Sequence, residues 1–218
     1  MKVAAVAITV VALTVGGTIA RTDAPLADIH LPAPRMEGGK PLLTALKERQ
    51  TCRAFSDKPL SMQVISDLLW AAFGINRPDS GKRTAPSARN WQEIEVYAVL
   101  ANGAYRYDAP NNLLRAVATG DLRALTGKQP YVAKPPLNLV YVVNPSKIKA
   151  APDDDTVIYY SAGAGFISQN VYLFCASEGL GTVVRGLIDR QALAEALKLP
   201  ENFRILLAQT VGYPEGEN

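Results

Sequence analysis

The run TVIYYSAGAGFISQNVYLFCASEGLGTVV, from Thr156 to Val184, contains one Asp, Glu, Lys or Arg, namely Glu178. Tyr159, Ala162, Phe166, Asn170, Leu173 and Ser177 fall on one helical stripe, and Tyr160, Ile167, Val171, Phe174 and Cys175 on another. A helix that is apolar nearly all round must be buried nearly all round. Ser161, Ser168, Gln169 and Asn170, with Gly163 and Gly165, distinguish it from a lipid-facing span. Asp155 is placed to cap its start, and Gly179 to stop it in a left-handed turn. Gly181-Thr182-Val183-Val184 then reads as a short strand that ends on Arg185-Gly186. One core in a chain of 218 residues can hardly wrap both stripes. A second copy of the chain is therefore expected over the outer one, making a homodimer.

The length suits one domain of about 180 residues behind a leader. With 48% hydrophobic and 20% charged residues, the composition is that of a globular protein with a sizeable core. A net charge of +3 is too small to attract nucleic acid in bulk. Two cysteines make neither a metal framework nor a disulfide scaffold. Cys175, mid-helix, reads as a small buried hydrophobe, and Cys52 lies in a charged loop, so a bridge between them is the lesser reading. The single histidine, His30, falls in a Pro-rich stretch, a poor setting for a ligand or base. Metal-dependent and His-dependent mechanisms are not expected.

Lys2 precedes an uncharged run from Val3 to Ala20 that closes Thr18-Ile19-Ala20, the pattern of an export leader with small residues at its cleavage end. Residues 1–20 are expected to be that signal peptide, and the mature protein to be periplasmic or secreted. Eighteen residues approach the lower limit of a membrane span, so an uncleaved anchor is the alternative, with no other membrane association expected. A translation start at Met36 would instead make the protein cytoplasmic. Residues 21–40, rich in Pro, Ala, Asp and Gly, read as an extended linker, and residues 41–218 as the domain.

Within that domain Pro41 opens a short helix with Leu42, Leu43 and Leu46, and Ser61 caps a second from Met62 to Phe73 that Gly74 closes. Glu93 to Leu100 turns Ile94, Val96, Ala98 and Leu100 inward as a strand, and Asn102-Gly103 is a hairpin turn leading to Tyr105-Arg106-Tyr107. Two short helical stretches are expected, at Leu113 to Ala118 and Leu122 to Leu125. Leu137 to Val143 is an apolar strand, Asp189 caps a helix from Arg190 to Leu197, and Arg204 to Val211 is the last strand. The fold class is α+β, a mixed, mainly antiparallel sheet flanked by helices.

Three stretches are fit for chemistry. Arg49, Thr51 and Arg53 alternate through a loop after a helix, where two guanidinium groups and a hydroxyl suit a phosphate. Pro86-Ser87-Ala88-Arg89-Asn90 offers small residues, backbone and an amide. Val183-Val184-Arg185-Gly186 can lay backbone N–H groups against the edge of a planar ligand. Each alone is also an ordinary loop or strand end.

Taken in order, they resemble the FMN-dependent nitroreductase family. Arg49-Gln50-Thr51-Cys52-Arg53-Ala54-Phe55 is similar to its opening flavin motif, and Leu68-Leu69-Trp70-Ala71-Ala72-Phe73-Gly74-Ile75 to the helix that follows. Arg83-Thr84-Ala85-Pro86-Ser87-Ala88 is similar to the flavin loop of the SagB-type subgroup, which includes azoline-peptide dehydrogenases. Gln169-Asn170, Glu178-Gly179-Leu180-Gly181-Thr182 and Gly212-Tyr213-Pro214 complete a likeness that spans residues 41 to 214.

The resemblance implies an obligate homodimer with FMN at the interface. It assigns the phosphate to Arg49 and Thr51, with Gln50 between them, and gives Arg53 the phosphate or the pyrimidine end, where it would also stabilise the reduced anionic ring. Pro86, Ser87, Ala88 and Asn90 would line the ring and ribityl chain from the partner subunit, and Val183, Val184, Arg185 and Gly186 would pass along the ring edge. It names no protein acid or base, since the cofactor carries the hydride. Two departures stand out. Many relatives place a basic residue after the last strand, where this chain ends Glu215-Gly216-Glu217-Asn218, leaving the phosphate to Arg49, Arg53 or an inward-turned Arg89. Arg89-Asn90-Trp91-Gln92 replaces the glycine and Tyr-Pro pair usual in SagB-type relatives, which weighs against azoline chemistry. The expected activity is reduction or oxidation of a small conjugated compound such as a nitroaromatic or quinone, with NAD(P)H one electron donor to test. A flavin-binding dimer without turnover, acting as a carrier or interaction module, is the alternative.

Overall fold

The structure is a computed structural model that describes residues 25–149 and 153–216. The expected leader lies outside the described residues. In chain order the regular elements are β1 (Ile29–His30), α1 (Leu42–Glu48), α2 (Met62–Phe73), β2 (Ile75–Arg77), β3 (Lys82–Arg83), β4 (Ile94–Leu100), β5 (Gly103–Asp108), β6 (Leu113–Thr119), β7 (Leu137–Val143), α3 (Asp154–Ser177), β8 (Gly181–Arg185), α4 (Arg190–Ala196) and β9 (Arg204–Gly212). Seven strands form one sheet in the order β1-β6-β5-β4-β7-β9-β8, and each pairing in it is antiparallel. The fold is α+β, as the sequence predicts.

Local signals set most of the boundaries. Ser61 accepts the Val64 N–H at 3.2 Å to start α2, and the Gly74 N–H closes it on the Trp70 carbonyl. Asp189 caps α4 through the Ala192 N–H. β4 is buried along all seven residues. Its Ile94, Val96 and Ala98 enter the core beneath α2 and α3, while Tyr97 and Val99 enter a second core beneath α4. The alternation in the sequence therefore shows one face of a strand that is covered on both.

Helix α3 divides along its two stripes. Tyr160, Ile167, Val171 and Cys175 are buried against the sheet and α2. The other stripe faces outward: Phe166 is 48% and Tyr159 36% exposed, and Ile158 beside it 61%. A single copy of the chain covers one side of this helix and leaves an apolar side open.

Three expectations change. Leu113 to Ala118, expected as helix, lies in β6, paired with β5 from Leu113 opposite Asp108 to Thr119 opposite Gly103. Its Leu, Ala and Arg are good helix formers, but β5 needs a second partner, and tertiary pairing outweighs that propensity. The cap of α3 is Asp153, not Asp155: its Oδ1 accepts the Thr156 N–H at 2.7 Å and the Thr156 hydroxyl at 2.6 Å. The third concerns the stretch expected as a linker, which from residue 25 is a strap fastened to the body.

Leu31 is buried, and its N–H reaches the Asn112 carbonyl at 3.1 Å. Asn112 Nδ2 donates to the Pro32 carbonyl at 2.8 Å, and Ser66 donates to the same oxygen at 2.6 Å. Arg35 closes the strap on Asp67, donating from its backbone N–H at 2.8 Å and from Nε at 2.7 Å. Burial raises the Asp67 pKa, but hydrogen bonds from Arg35 and Gln63 outweigh it and hold the group below its usual 3.8. A depressed carboxylate stabilises the fold fully above its unfolded pKa, and that share is lost as pH falls through the folded value. Below about pH 4 the native protein is therefore expected to lose stability more steeply than Asp67→Asn. Parallel stability curves for the two proteins would show that the strap is not held by this charge.

Candidate functional site

Arg49 ends α1, its N–H bonded to the Ala45 carbonyl at 2.9 Å, and the chain then runs beside β8. The Cys52 N–H donates to the Thr182 carbonyl at 3.0 Å, and the Ser56 N–H to the Tyr213 carbonyl at 3.0 Å. Phe55, buried, bridges to Pro214. The approach is close because residue 181 is glycine: a Cβ there would sit 2.8 Å from Cys52 Sγ and 2.9 Å from its Cβ. A cavity of about 540 Å³ opens at this loop, bordered by Lys47, Arg49, Gln50, Tyr172 and Thr182. Cys52 and Cys175 also border it, and both are free thiols.

The first and third stretches meet on Tyr172. The Arg49 guanidinium lies over its ring, 5.2 Å from the centroid. Its hydroxyl is 3.1 Å from Thr51 Oγ1 and accepts the Val184 N–H at 3.1 Å. Among the described residues neither Arg49 nor Arg53 belongs to an ion pair. Thr51, Gln50 and Arg53 are exposed. The unneutralised Arg49 guanidinium borders the cavity and the Thr51 hydroxyl adjoins it through Tyr172, a pairing of donors suited to an anion, while Arg53 is not among the residues that line the cavity.

The outer edge of β8 continues that site. Thr182 C=O and Val184 N–H both point away from β9, so by strand alternation the Gly186 N–H faces the same way. Arg185 does not. Its guanidinium is buried behind the sheet, donating to the Thr126 carbonyl at 2.6 Å, Asn138 Oδ1 at 2.6 Å and Thr210 Oγ1 at 2.7 Å. Burial pulls its pKa down to about 10. Arg185 pairs with Ala208 and turns its backbone toward β9, while its side chain is a strut for the loop at Thr126.

The second stretch is elsewhere. Ser87 donates to Glu93 Oε2 at 2.7 Å and accepts the Gln92 N–H at 2.8 Å, drawing Pro86 to Gln92 into a closed loop. Arg89, Asn90 and Gln92 all have positive φ, of 50°, 54° and 51°, a left-handed conformation that costs non-glycine residues and collects at functional sites. Glu93 is fully buried, and its Oε1 has no partner among the described residues. The Arg89 guanidinium stacks on Trp91, whose ring meets Tyr159 edge-on at 6.2 Å, so Arg89 is not turned toward Arg49. This loop packs on α3 at Tyr159, thirteen residues before Tyr172, which is about 20 Å at 1.5 Å per residue. One chain does not bring Pro86, Ser87, Ala88 and Asn90 to Arg49 and Thr51. Tyr172 and Glu93 organise the two halves, and the sequence singles out neither: Tyr172 meets Thr51 from 121 residues away, and Glu93, six residues from Ser87, reads only as the start of a strand.

Residues 46–213 match the family model described as the nitroreductase family. The chain belongs to the nitroreductase family. A candidate nitroreductase of Methanocaldococcus jannaschii is 28% identical over 172 residues, 74% of this chain and 86% of that protein. An FMN reductase [NAD(P)H] of Bacillus subtilis is 21% identical over 79% of this chain and 66% of its own. The crystal structure of a candidate nitroreductase from Ralstonia eutropha JMP134 superposes with a TM-score of 0.84 at 41% identity, covering 88% of this chain and 91% of that one. A chain of the Escherichia coli microcin synthetase complex with truncated pro-microcin bound gives a TM-score of 0.68 at 26% identity, over 76% and 69%. As a nitroreductase-family protein the chain is an oxidoreductase.

Proposed function

We propose that the chain is an FMN-dependent oxidoreductase that acts as a homodimer on a small conjugated substrate such as a nitroaromatic or quinone. The observation that carries this reading is the junction at Tyr172, where unpaired Arg49 and exposed Thr51 adjoin the outer edge of β8 just before Gly186. A flavin mononucleotide needs donors for a phosphate at one end and backbone for a planar ring at the other, and this junction offers both. The bordering cavity, about 540 Å³, is within the range of cofactor sites. The B. subtilis relative named for FMN and NAD(P)H supports the same cofactor.

In this reading Arg49 and Thr51, with Gln50 beside them, hold the phosphate, and Arg53 holds the phosphate or the pyrimidine end. Val183, Val184, Arg185 and Gly186 run along the ring edge, with the Gly186 N–H as the backbone donor turned toward it. Flavin, when bound, supplies reversible hydride exchange at N5. The protein's part is to bind, orient and exclude water, and no side chain is assigned a proton. The 20 Å gap supports a dimer. Two copies of α3 packed antiparallel about a two-fold axis near Phe166 would bring Pro86, Ser87, Ala88 and Asn90 of one to Arg49 and Thr51 of the other, and would cover the exposed stripe. Export to the periplasm or beyond is part of the proposal, and it makes an electron donor other than NAD(P)H the first to test.

Likeness to the microcin synthetase chain favours a second reading, oxidation of an azoline in a peptide, for which the substrate would be a modified peptide rather than a free aromatic. The deciding experiment is a visible spectrum of the purified protein with release and identification of any chromophore. FMN at about one per chain is expected, with dye-linked turnover on quinones separating an enzyme from a flavin carrier. A colourless protein that ignores added FMN would sink the proposal.

A further inference from the structure

Tyr172 has no place in the motifs that mark the cofactor site, yet three of that site's groups converge on it. Its hydroxyl is held between one partner that can only donate, the Val184 N–H, and one that can do either, the Thr51 hydroxyl. Tyr172 is 8% exposed. A phenol has one proton to give. With its oxygen accepting from Val184, the acceptor in reach of that proton is Thr51 Oγ1, 3.1 Å away. Were Thr51 to donate instead, the Tyr172 oxygen would accept twice, and its own proton would have no protein acceptor among the described residues. The satisfied arrangement runs in one direction: Val184 N–H to Tyr172, Tyr172 O–H to Thr51, and the Thr51 proton outward to whatever occupies the site. Hydrogen bonds in such a chain strengthen one another. The same ring holds the Arg49 guanidinium over its face, 5.2 Å from the centroid, within the range of cation–π attraction.

We propose that Tyr172 is a positioning residue that fixes Thr51 as an outward donor and Arg49 beside it, so that the site selects a phosphate-bearing flavin over its neutral counterpart. A phosphate is an acceptor on every free oxygen and matches a site that only donates. A sugar hydroxyl gains nothing from that direction, because it pairs equally with a donor or an acceptor. This inference rests on the flavin reading above.

The test is titration of the full chain with FMN and, separately, riboflavin, followed by flavin fluorescence. The unaltered protein should bind FMN in preference to riboflavin. Tyr172→Phe should weaken FMN about tenfold, the scale of a hydrogen bond to a charged group, and leave riboflavin within about twofold. Thr51→Val changes an exposed residue, keeps the fold readable if the tyrosine variant does not, and should lose FMN to the same extent. The double variant should lose little more than either single one, since both break one chain. Equal losses of FMN and riboflavin, undiminished FMN binding in both single variants, or losses that multiply in the double variant would each overturn the inference while leaving the flavin reading intact. Failure of the unaltered protein to bind either flavin would overturn both.

Discussion

Phe166→Arg is expected to yield a folded monomer that retains no flavin. Phe166 stands 48% exposed in the middle of α3, on the stripe that one chain leaves open, so an arginine there meets only water in a single copy. In the proposed dimer it would sit at the two-fold axis, where two guanidinium groups would face each other in place of two rings. Like charges at such a contact cost several kcal/mol, about the size of the specificity penalties seen at mismatched interfaces. Sedimentation of the variant should show one chain where the unaltered protein shows two, with native secondary structure by circular dichroism. Its flavin should wash out on a desalting column, because Pro86, Ser87, Ala88 and Asn90 no longer come from a partner. A variant that stays dimeric would place the interface off this stripe.

Arg49→Ala is expected to weaken FMN binding by about 1.5–3 kcal/mol, roughly ten- to a hundredfold, the range for hydrogen bonds to a charged group. The fold should be spared, since the guanidinium stacks on Tyr172 and is in no ion pair among the described residues. Unchanged flavin occupancy in equilibrium dialysis would remove the phosphate from this loop. The two variants separate the halves of the site: one removes the partner's contribution, and the other a charge within the same chain.

What the sequence discloses is mostly what neighbours in it decide. Ser61 and Gly74 bound α2, Asp189 starts α4, and Asn102-Gly103 turns β4 into β5, each through contacts a few residues apart. The contrast between the stripes of α3 was legible for the same reason, since helical spacing alone sorts them. The remainder depends on remote partners. β6 is strand because β5 lies beside it, not because of its residues. The strap looks unstructured in composition, but its anchors, Asp67 and Asn112, are 32 and 80 residues away from Arg35 and Pro32. At the site, Arg49, Thr51 and Val184 were found by motif, whereas Tyr172, which joins them, was not. The direction of the Arg185 side chain depends on the register of β8 against β9, and a shift of one residue would send it to the other face.

Because β4 and β7 are buried on both faces, the sheet partitions the interior into two compartments that hardly communicate. Leu193, Leu197 and Ile205 belong to the compartment under α4, and Ile167, Val171 and Leu139 to the one that carries the candidate site. Repacking beneath α4 can therefore shift thermal tolerance while the packing beneath α2 and α3 is kept.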